Sequence, residues 1–521
     1  MTNPSTLYRG GVLHCPADPS ATALLVSGGR IAWLGTDGDA PPADRVVDLD
    51  GALVTPAFVD AHVHATDTGL ALSGLELSGM RSAAQLLDAV AGFAAGLPAD
   101  AVVLGHGWDE SGWSDPALPD AAALDRAAGG RRVYLSQASI HSALVSSALL
   151  AACPQAAQAA GFDASGWLRR DAHHVVRAAA QGSVSRAQRV AAQRVALSHA
   201  ASLGIAAVHE CGGPDISDEE DFTGLLGISG AGVPEVYGYW GELGGAARAR
   251  ELGAVGAGGD LFADGALGSR TAHVSRAYDD GDGCGHGYLT VEQVRDHLLD
   301  CAAHGVQGGF HAIGDAAIGT VLDGFAAAAA TVGVERLRAA RHRIEHAEIM
   351  NRRLIARFVE YGVVASMQPA FDRLWGGAGR MYEARLGLDR SLESNPMGAL
   401  HSVGVALAFG SDSPVTPLDP WGSVRAAAAH HNPAQRMSVR AAFAAHTRGG
   451  WRAVHLDVEG VLALGAPATF AVWSTPAGVE RGLPVVLAED PELRGPDDPT
   501  PLPVCRRLVL RGEVIYEEGS S

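Results

Sequence analysis

Thr55-Pro-Ala-Phe-Val-Asp-Ala-His-Val-His64 is the stretch on which the reading of this chain turns. It is apolar, of strand length, and ends in two histidines at i and i+2. On a β-strand successive side chains alternate faces, so residues two apart point the same way. Two imidazoles at one strand tip can therefore grip a single metal ion. Far downstream, His311, His346 and Asp412 each close a short apolar run of their own, and with the first pair they would complete a metal site. The chain contains no lysine, so no such site here can use one.

Working outward, eight short runs fit barrel strands: 57–64, 204–210, 234–240, 259–264, 308–311, 341–346, 363–368 and 405–412. Alanine-rich helical stretches separate several of them, as at 291–304 and 316–332. Alternating strand and helix predicts an α/β fold, a distorted TIM (β/α)8 barrel. Residues 6–54, 468–473 and 507–516 read instead as short strands punctuated by Gly-Gly and Asp-Gly turns. A small β-sandwich domain built from both termini, 1–55 and 455–521, is expected beside a barrel at 56–454. An insertion at about 66–200 is too long for an ordinary βα loop. It is expected to lie over the barrel mouth, with 376–388 as a second lid element.

Composition narrows the partners. A net charge of −19 over 521 residues argues against nucleic acid or an anionic membrane, both of which demand a basic surface. A small-molecule substrate is expected instead. The N-terminus lacks the basic and apolar pattern of a secretory signal, and no window reads as a membrane span. The six cysteines are scattered without a CxxC pair, so buried thiols and a cytoplasmic location are expected.

Every polar candidate falls at or within a predicted strand, at the end where barrel enzymes keep their active sites. His62 and His64 belong to the first strand, Asp260 and Asp264 to the fourth, His311 to the fifth, His346 to the sixth and Asp412 to the eighth. Neutral imidazoles with carboxylates suit zinc or a similar divalent ion, which lowers the pKa of its water to about 7. Asp412 could ligate the ion and shuttle the proton, with His346 assisting. The bland alternatives are strand-end histidines satisfied by backbone groups and a turn aspartate before Ser-Pro.

The ordered motifs His62-Val-His64, Phe310-His-Ala-Ile-Gly-Asp315, Arg343-Ile-Glu-His-Ala-Glu348 and Gly410-Ser-Asp-Ser-Pro414 resemble the amidohydrolase superfamily. His106-Gly-Trp-Asp-Glu110, Ile140-His-Ser-Ala143 and Phe262-Ala-Asp-Gly-Ala-Leu-Gly-Ser-Arg-Thr271 sharpen this to the family 3 branch, the YtcJ-like group that includes N-substituted formamide deformylases. The resemblance runs from about residue 7 to 517. It implies a metal-dependent hydrolase of C–N bonds in small amides, on a barrel beside a β-sandwich, with a homodimer as an expected assembly.

One departure bears on the metal count. In many members of that family, a carboxylated lysine four residues before the Asp of Ala-Asp-Gly bridges two ions. Here Asp260 stands at that position. An aspartate is several atoms shorter, so one ion is expected rather than two, with Asp260 as a ligand or an outer support. Trp108, His141, Asp264, Arg270 and Gln368 are expected to line the substrate pocket; the alternatives are a core tryptophan, a turn aspartate, a surface ion pair and ordinary hydrogen-bonded roles. Two rival functions remain at this point: an aminohydrolase (deaminase) of an N-heterocycle, and a binding protein on a degenerate enzyme fold. His14, His173, His174, His430 and His431 read as surface or loop residues.

Overall fold

The computed structural model describes residues 4–138, 142–495 and 498–519. Eight parallel strands follow one another in chain order around one sheet. We number them β1 (Phe58–Val63), β2 (Ile205–Gly212), β3 (Glu235–Trp240), β4 (Gly256–Ala257), β5 (Gln307–Ala312), β6 (Arg343–His346), β7 (Val364–Met367) and β8 (Leu407–Phe409). A parallel bridge between Val63 and Ser413 joins the chain just after β8 back to β1. Helices such as Val291–His304 and Asp315–Val332 connect the strands. This is the (β/α)8 barrel. Its strands are buried along nearly their whole length, as expected of a parallel sheet covered on both faces.

Both termini build a second layer structure. One sheet runs Arg30–Gly35, Ala23–Ser27, Thr6–Arg9, Arg45–Asp48. The other runs Val12–Leu13, Leu53–Pro56, Phe470–Ser474, Val504–Leu510, Glu513–Glu517. Antiparallel pairing of Val54 with Val472 stitches the N-terminal to the C-terminal part. Tyr8, Leu24, Ile31, Val54, Phe470 and Val509 fill the space between the sheets. Tyr8 and Phe470 meet edge to face at 5.1 Å, the arrangement that aromatic quadrupoles favour.

The chain divides into two compact units, Met1–His64 with Leu197–Ser521, and Ala65–Ala196. The second holds its own five-stranded sheet, ordered Trp167–Arg169, Ser142–Val145, Val133–Gln137, Val103–Trp108, Leu75–Glu76. Residues 376–388 contain the short helix Met381–Leu386, whose Tyr382 is buried against Glu348.

Two sequence expectations need correction. The fourth strand ends at Ala257, before the run 259–264 that was expected to form it. Gly258 (φ 152°) and Gly259 (φ 79°) break the ladder there. A Cβ on Gly258 would stand 2.3 Å from the Gly309 nitrogen, so only glycine allows β4 and β5 to approach. Hydrogen bonding then resumes, from His311 N–H to Leu261 O and from Ala263 N–H to His311 O. Asp260 and Asp264 thus lie beyond β4. Secondly, His14, His173 and His430 are buried, because partners distant in sequence receive them: Gly482 O, Tyr134 Oη and Asn395 O. By length and composition alone Asp315–Val332 could also cross a membrane. Here it buries Ile318, Val321, Leu322 and Phe325, and Phe325 lies 6.3 Å from Phe310 of β5.

Gly258→Ala should introduce strain of about 1–3 kcal/mol at the β4–β5 approach. A clear fall in thermal midpoint by scanning calorimetry is the expected outcome; an unchanged midpoint would refute the close-approach argument.

Candidate metal centre

The seam that closes the barrel also assembles the site. Asp412 N–H donates to His62 O at 2.8 Å, and His64 N–H donates to Ser413 O at 2.9 Å. These bonds hold the tip of β1 against the turn after β8. Asp60 reinforces the seam by accepting from the Ser411 and His62 amides. Gly410 makes the approach possible, since a Cβ there would sit 2.5 Å from the His62 nitrogen. His346 ends β6 with φ 69°, and Asp412 has φ 57°. Both are left-handed conformations that non-glycine residues seldom adopt, and they turn the side chains off the regular alternation.

Asp260 occupies the middle of the cluster. Its Oδ1 lies 3.5 Å from His62 Nε2, 3.5 Å from His311 Nδ1 and 3.8 Å from His346 Nε2, while Oδ2 lies 3.2 Å from His64 Nε2. Asp412 Oδ1 stands 3.4 Å from His62 Nε2 and 3.2 Å from His64 Nε2. A tetrahedral ion with ligands at about 2.0–2.1 Å requires donor–donor separations of about 3.3–3.4 Å. The separations from Asp412 Oδ1 lie near that value, while Asp260 meets His62 with Oδ1 and His64 with Oδ2, so the donors form two overlapping groups, His62–Asp260–His346 and His62–His64–Asp412. Each of the six donors is buried or nearly so.

Hydrogen bonds orient the rings. The His62 ring pairs through Nδ1 with Glu345 Oε2 at 2.9 Å, His346 through Nδ1 with Gln368 Oε1 at 2.9 Å, and His311 through Nε2 with Gly265 O at 3.2 Å. All three partners are acceptors, so the bonded nitrogen carries a proton and the opposite nitrogen is the one turned towards Asp260. Among the described residues, His62 Nε2, His311 Nδ1 and Asp260 Oδ1 have no hydrogen-bond partner although they are buried. Two buried carboxylates and a set of inward lone pairs fit a divalent cation, which removes the cost of burying uncompensated negative charge.

Electrostatics point the same way. Burial alone would lower His62 and His64, but Asp260 and Asp412 reverse this and hold both well above the ordinary histidine value. Burial would raise Asp260, yet the imidazoles of His62, His311 and His346 hold it well below the usual carboxylate range. Glu345 likewise stays far below its ordinary value despite burial, because the Arg343 guanidinium lies against it. The cluster asks for positive charge at its centre.

The expected pocket residues distribute differently. Gln368 supports His346 through its Oε1, leaving its Nε2 without a partner among the described residues. Asp264 spends both oxygens on the backbone N–H groups of His273, Ile313 and Gly314, so it organises the loops instead of facing a substrate. Trp108 is fully buried in the core of the second unit, its indole N–H on Leu135 O, and has no face left for a pocket wall. The Arg270 fork is closed on Asp280 by two bonds of 2.9 Å, the surface ion pair in place of a substrate carboxylate contact. His141 lies outside the described residues. Sequence reasoning passed over Glu345, Arg343 and Phe371, whose ring stacks on His346 at 5.9 Å. The alternation Arg343-Ile-Glu345 was the available signal, since it places both charges on one face of β6.

Asp260→Ala should strip metal from the purified protein, whereas Asp264→Ala should leave metal content near wild type and lower the thermal midpoint. Plasma mass spectrometry and calorimetry read the two outcomes; full metal content in Asp260→Ala would refute the central placement of this carboxylate.

Known proteins agree with this architecture. The family model described as "Amidohydrolase family" matches residues 45–516. Protein LONG AFTER FAR-RED 3 of Arabidopsis thaliana is 34% identical over 225 residues, 41% of this chain and 38% of that protein. Putative amidohydrolase YtcJ of Bacillus subtilis (strain 168) is 27% identical over 277 residues, 50% of this chain and 47% of that protein. The chain thus spans less than half the length of either relative in these matches. An uncharacterized metal-dependent hydrolase from Pyrococcus furiosus has the same fold, with a TM-score of 0.75 at 24% identity, covering 90% of this chain and 98% of that one. With five inward-facing donors carried on barrel-strand ends and Asp260 between them, and a family match along nearly its whole length, the chain belongs to the amidohydrolase family.

Proposed function

We propose that this protein is a hydrolase of C–N bonds, of amide type, in a small molecule, and that it works with one divalent ion, most simply zinc. The observation that carries the reading is the buried cluster of overlapping donor groups, His62 with Asp260 and His346 and His62 with His64 and Asp412, which His311 also faces. When bound there, such an ion supplies Lewis acidity and makes water acidic enough to act as a nucleophile near neutral pH.

The chain's own residues do the rest. Asp412 turns Oδ1 to the imidazoles, which leaves Oδ2 for proton transfer. That oxygen is the proton acceptor, and it returns the proton to the departing nitrogen. His346, kept in one orientation by Gln368 and by the Phe371 ring, keeps Nε2 on the centre and assists Asp412 in the proton transfer. The unpaired Gln368 amide N–H donates to a substrate oxygen. The apolar surroundings of Phe371, Ile313, Trp375 and Tyr382 strengthen each of these contacts by excluding water.

Asp412→Asn should lower turnover by about 10²–10⁴-fold, the usual scale for loss of a general acid–base group, while much of the metal is retained. Chelation should abolish hydrolysis of an N-acyl and N-formyl amine panel, and zinc should restore it. Release of ammonia from N-heterocycles without any amide turnover would replace this reading with that of an aminohydrolase. Wild-type rates in Asp412→Asn would overturn the proton transfer.

A further inference from the structure

A buried guanidinium beside the cluster takes no part in the proposed chemistry. Arg343, on β6, is fully buried. Its guanidinium donates to Ala61 O on β1, to Ser366 Oγ on β7, to His209 Nδ1 on β2 and to both oxygens of Glu345 on its own strand. It also lies 4.4 Å from the centre of the Tyr239 ring on β3. A charge-assisted fork with this many fixed partners cannot turn without breaking several bonds at once. Glu345 is therefore clamped, and the oxygen it shares with Arg343 is the one that meets His62 Nδ1 at 2.9 Å.

We propose that Arg343 and Glu345 form a positioning pair that fixes the His62 ring as an Nε2 donor and thereby sets how tightly the centre retains its ion. This inference rests on the metal-centre reading above. Two geometric facts support it beyond the single hydrogen bond. Arg343 holds the carbonyl of Ala61, the residue before His62, so the pair controls the backbone and the ring of the same ligand. Of the orienting partners of the imidazoles, Gln368 and Gly265 O are neutral, while Glu345 alone is a carboxylate. A carboxylate behind a ligating imidazole raises its basicity as well as fixing its tautomer, and loss of such a partner typically costs about 10–100-fold in metal affinity.

The test measures zinc affinity by competition with a chromophoric chelator, on wild type, Glu345→Gln and the double variant Arg343→Met with Glu345→Leu. Glu345→Gln keeps the shape and removes the charge. The double variant replaces a buried ion pair by apolar side chains, an exchange that folds often tolerate without loss of stability. Both variants should bind zinc about 10–100-fold more weakly than wild type, while the metal-free double variant keeps a thermal midpoint close to wild type. A purely structural pair would move the midpoint and leave the zinc affinity of the folded protein alone. Equal zinc affinity in either folded variant overturns the proposal. Should neither variant fold, nitrogen-15 histidine NMR of zinc-loaded wild type decides it. His62 with a protonated Nδ1 and a ligating Nε2 supports the pair, and a ligating Nδ1 overturns it. A wild-type protein that takes up no zinc overturns both this inference and the proposed function, and is told apart because wild type itself then fails.

Discussion

The backbone seam between the tip of β1 and the turn after β8 is the constraint on which the site depends. Two hydrogen bonds, Asp412 N–H to His62 O and His64 N–H to Ser413 O, close the barrel at the point where the candidate ligands His62, His64 and Asp412 originate. A barrel closed there places residues separated by some 350 positions in chain order within ligand distance of one another. Small residues permit it. Gly410 lets the last strand reach the first, and Gly258 lets the fourth approach the fifth. The candidate metal centre is thus a consequence of how the sheet closes, with Asp412 and Asp260 on the segments just beyond β8 and β4.

Charge governs the second level of organisation. Asp260 and Asp412 bring two carboxylates into a setting that excludes water, and each inward imidazole for which a ring bond is described is tied from behind by an acceptor. The arrangement is stable only with positive charge at its centre, as protons on the histidines or as a divalent cation. The Asp260 carboxylate draws this charge into one compact set. Asp260 reaches all four imidazoles because the glycine break after β4 brings its backbone close, which compensates for its short side chain.

Much of this was legible in the sequence. The period of two makes His62 and His64 a same-face pair, and the apolar runs ending at His311, His346 and Asp412 mark strand ends. The barrel and the sandwich follow from alternation and turn residues. The fourth strand was misplaced because 259–264 is apolar enough to pass for a strand, while the close approach that demands glycine depends on β5, some fifty residues further on. Trp108 and Arg270 misled for a similar reason: an aromatic or a guanidinium has the same letter whether it faces a substrate, a core or Asp280. Arg343 and Glu345 were visible as an i, i+2 pair, but barrel interiors are ordinarily filled by branched apolar side chains, so buried opposite charges were not sought there.

The measurement that tests the central claim most directly is anomalous diffraction at the zinc edge from zinc-loaded crystals. One peak is expected, about 2.0–2.2 Å from His62 Nε2, His64 Nε2, Asp412 and a carboxylate oxygen of Asp260. A peak outside the reach of Asp260, or no peak at all in saturated crystals, would contradict it.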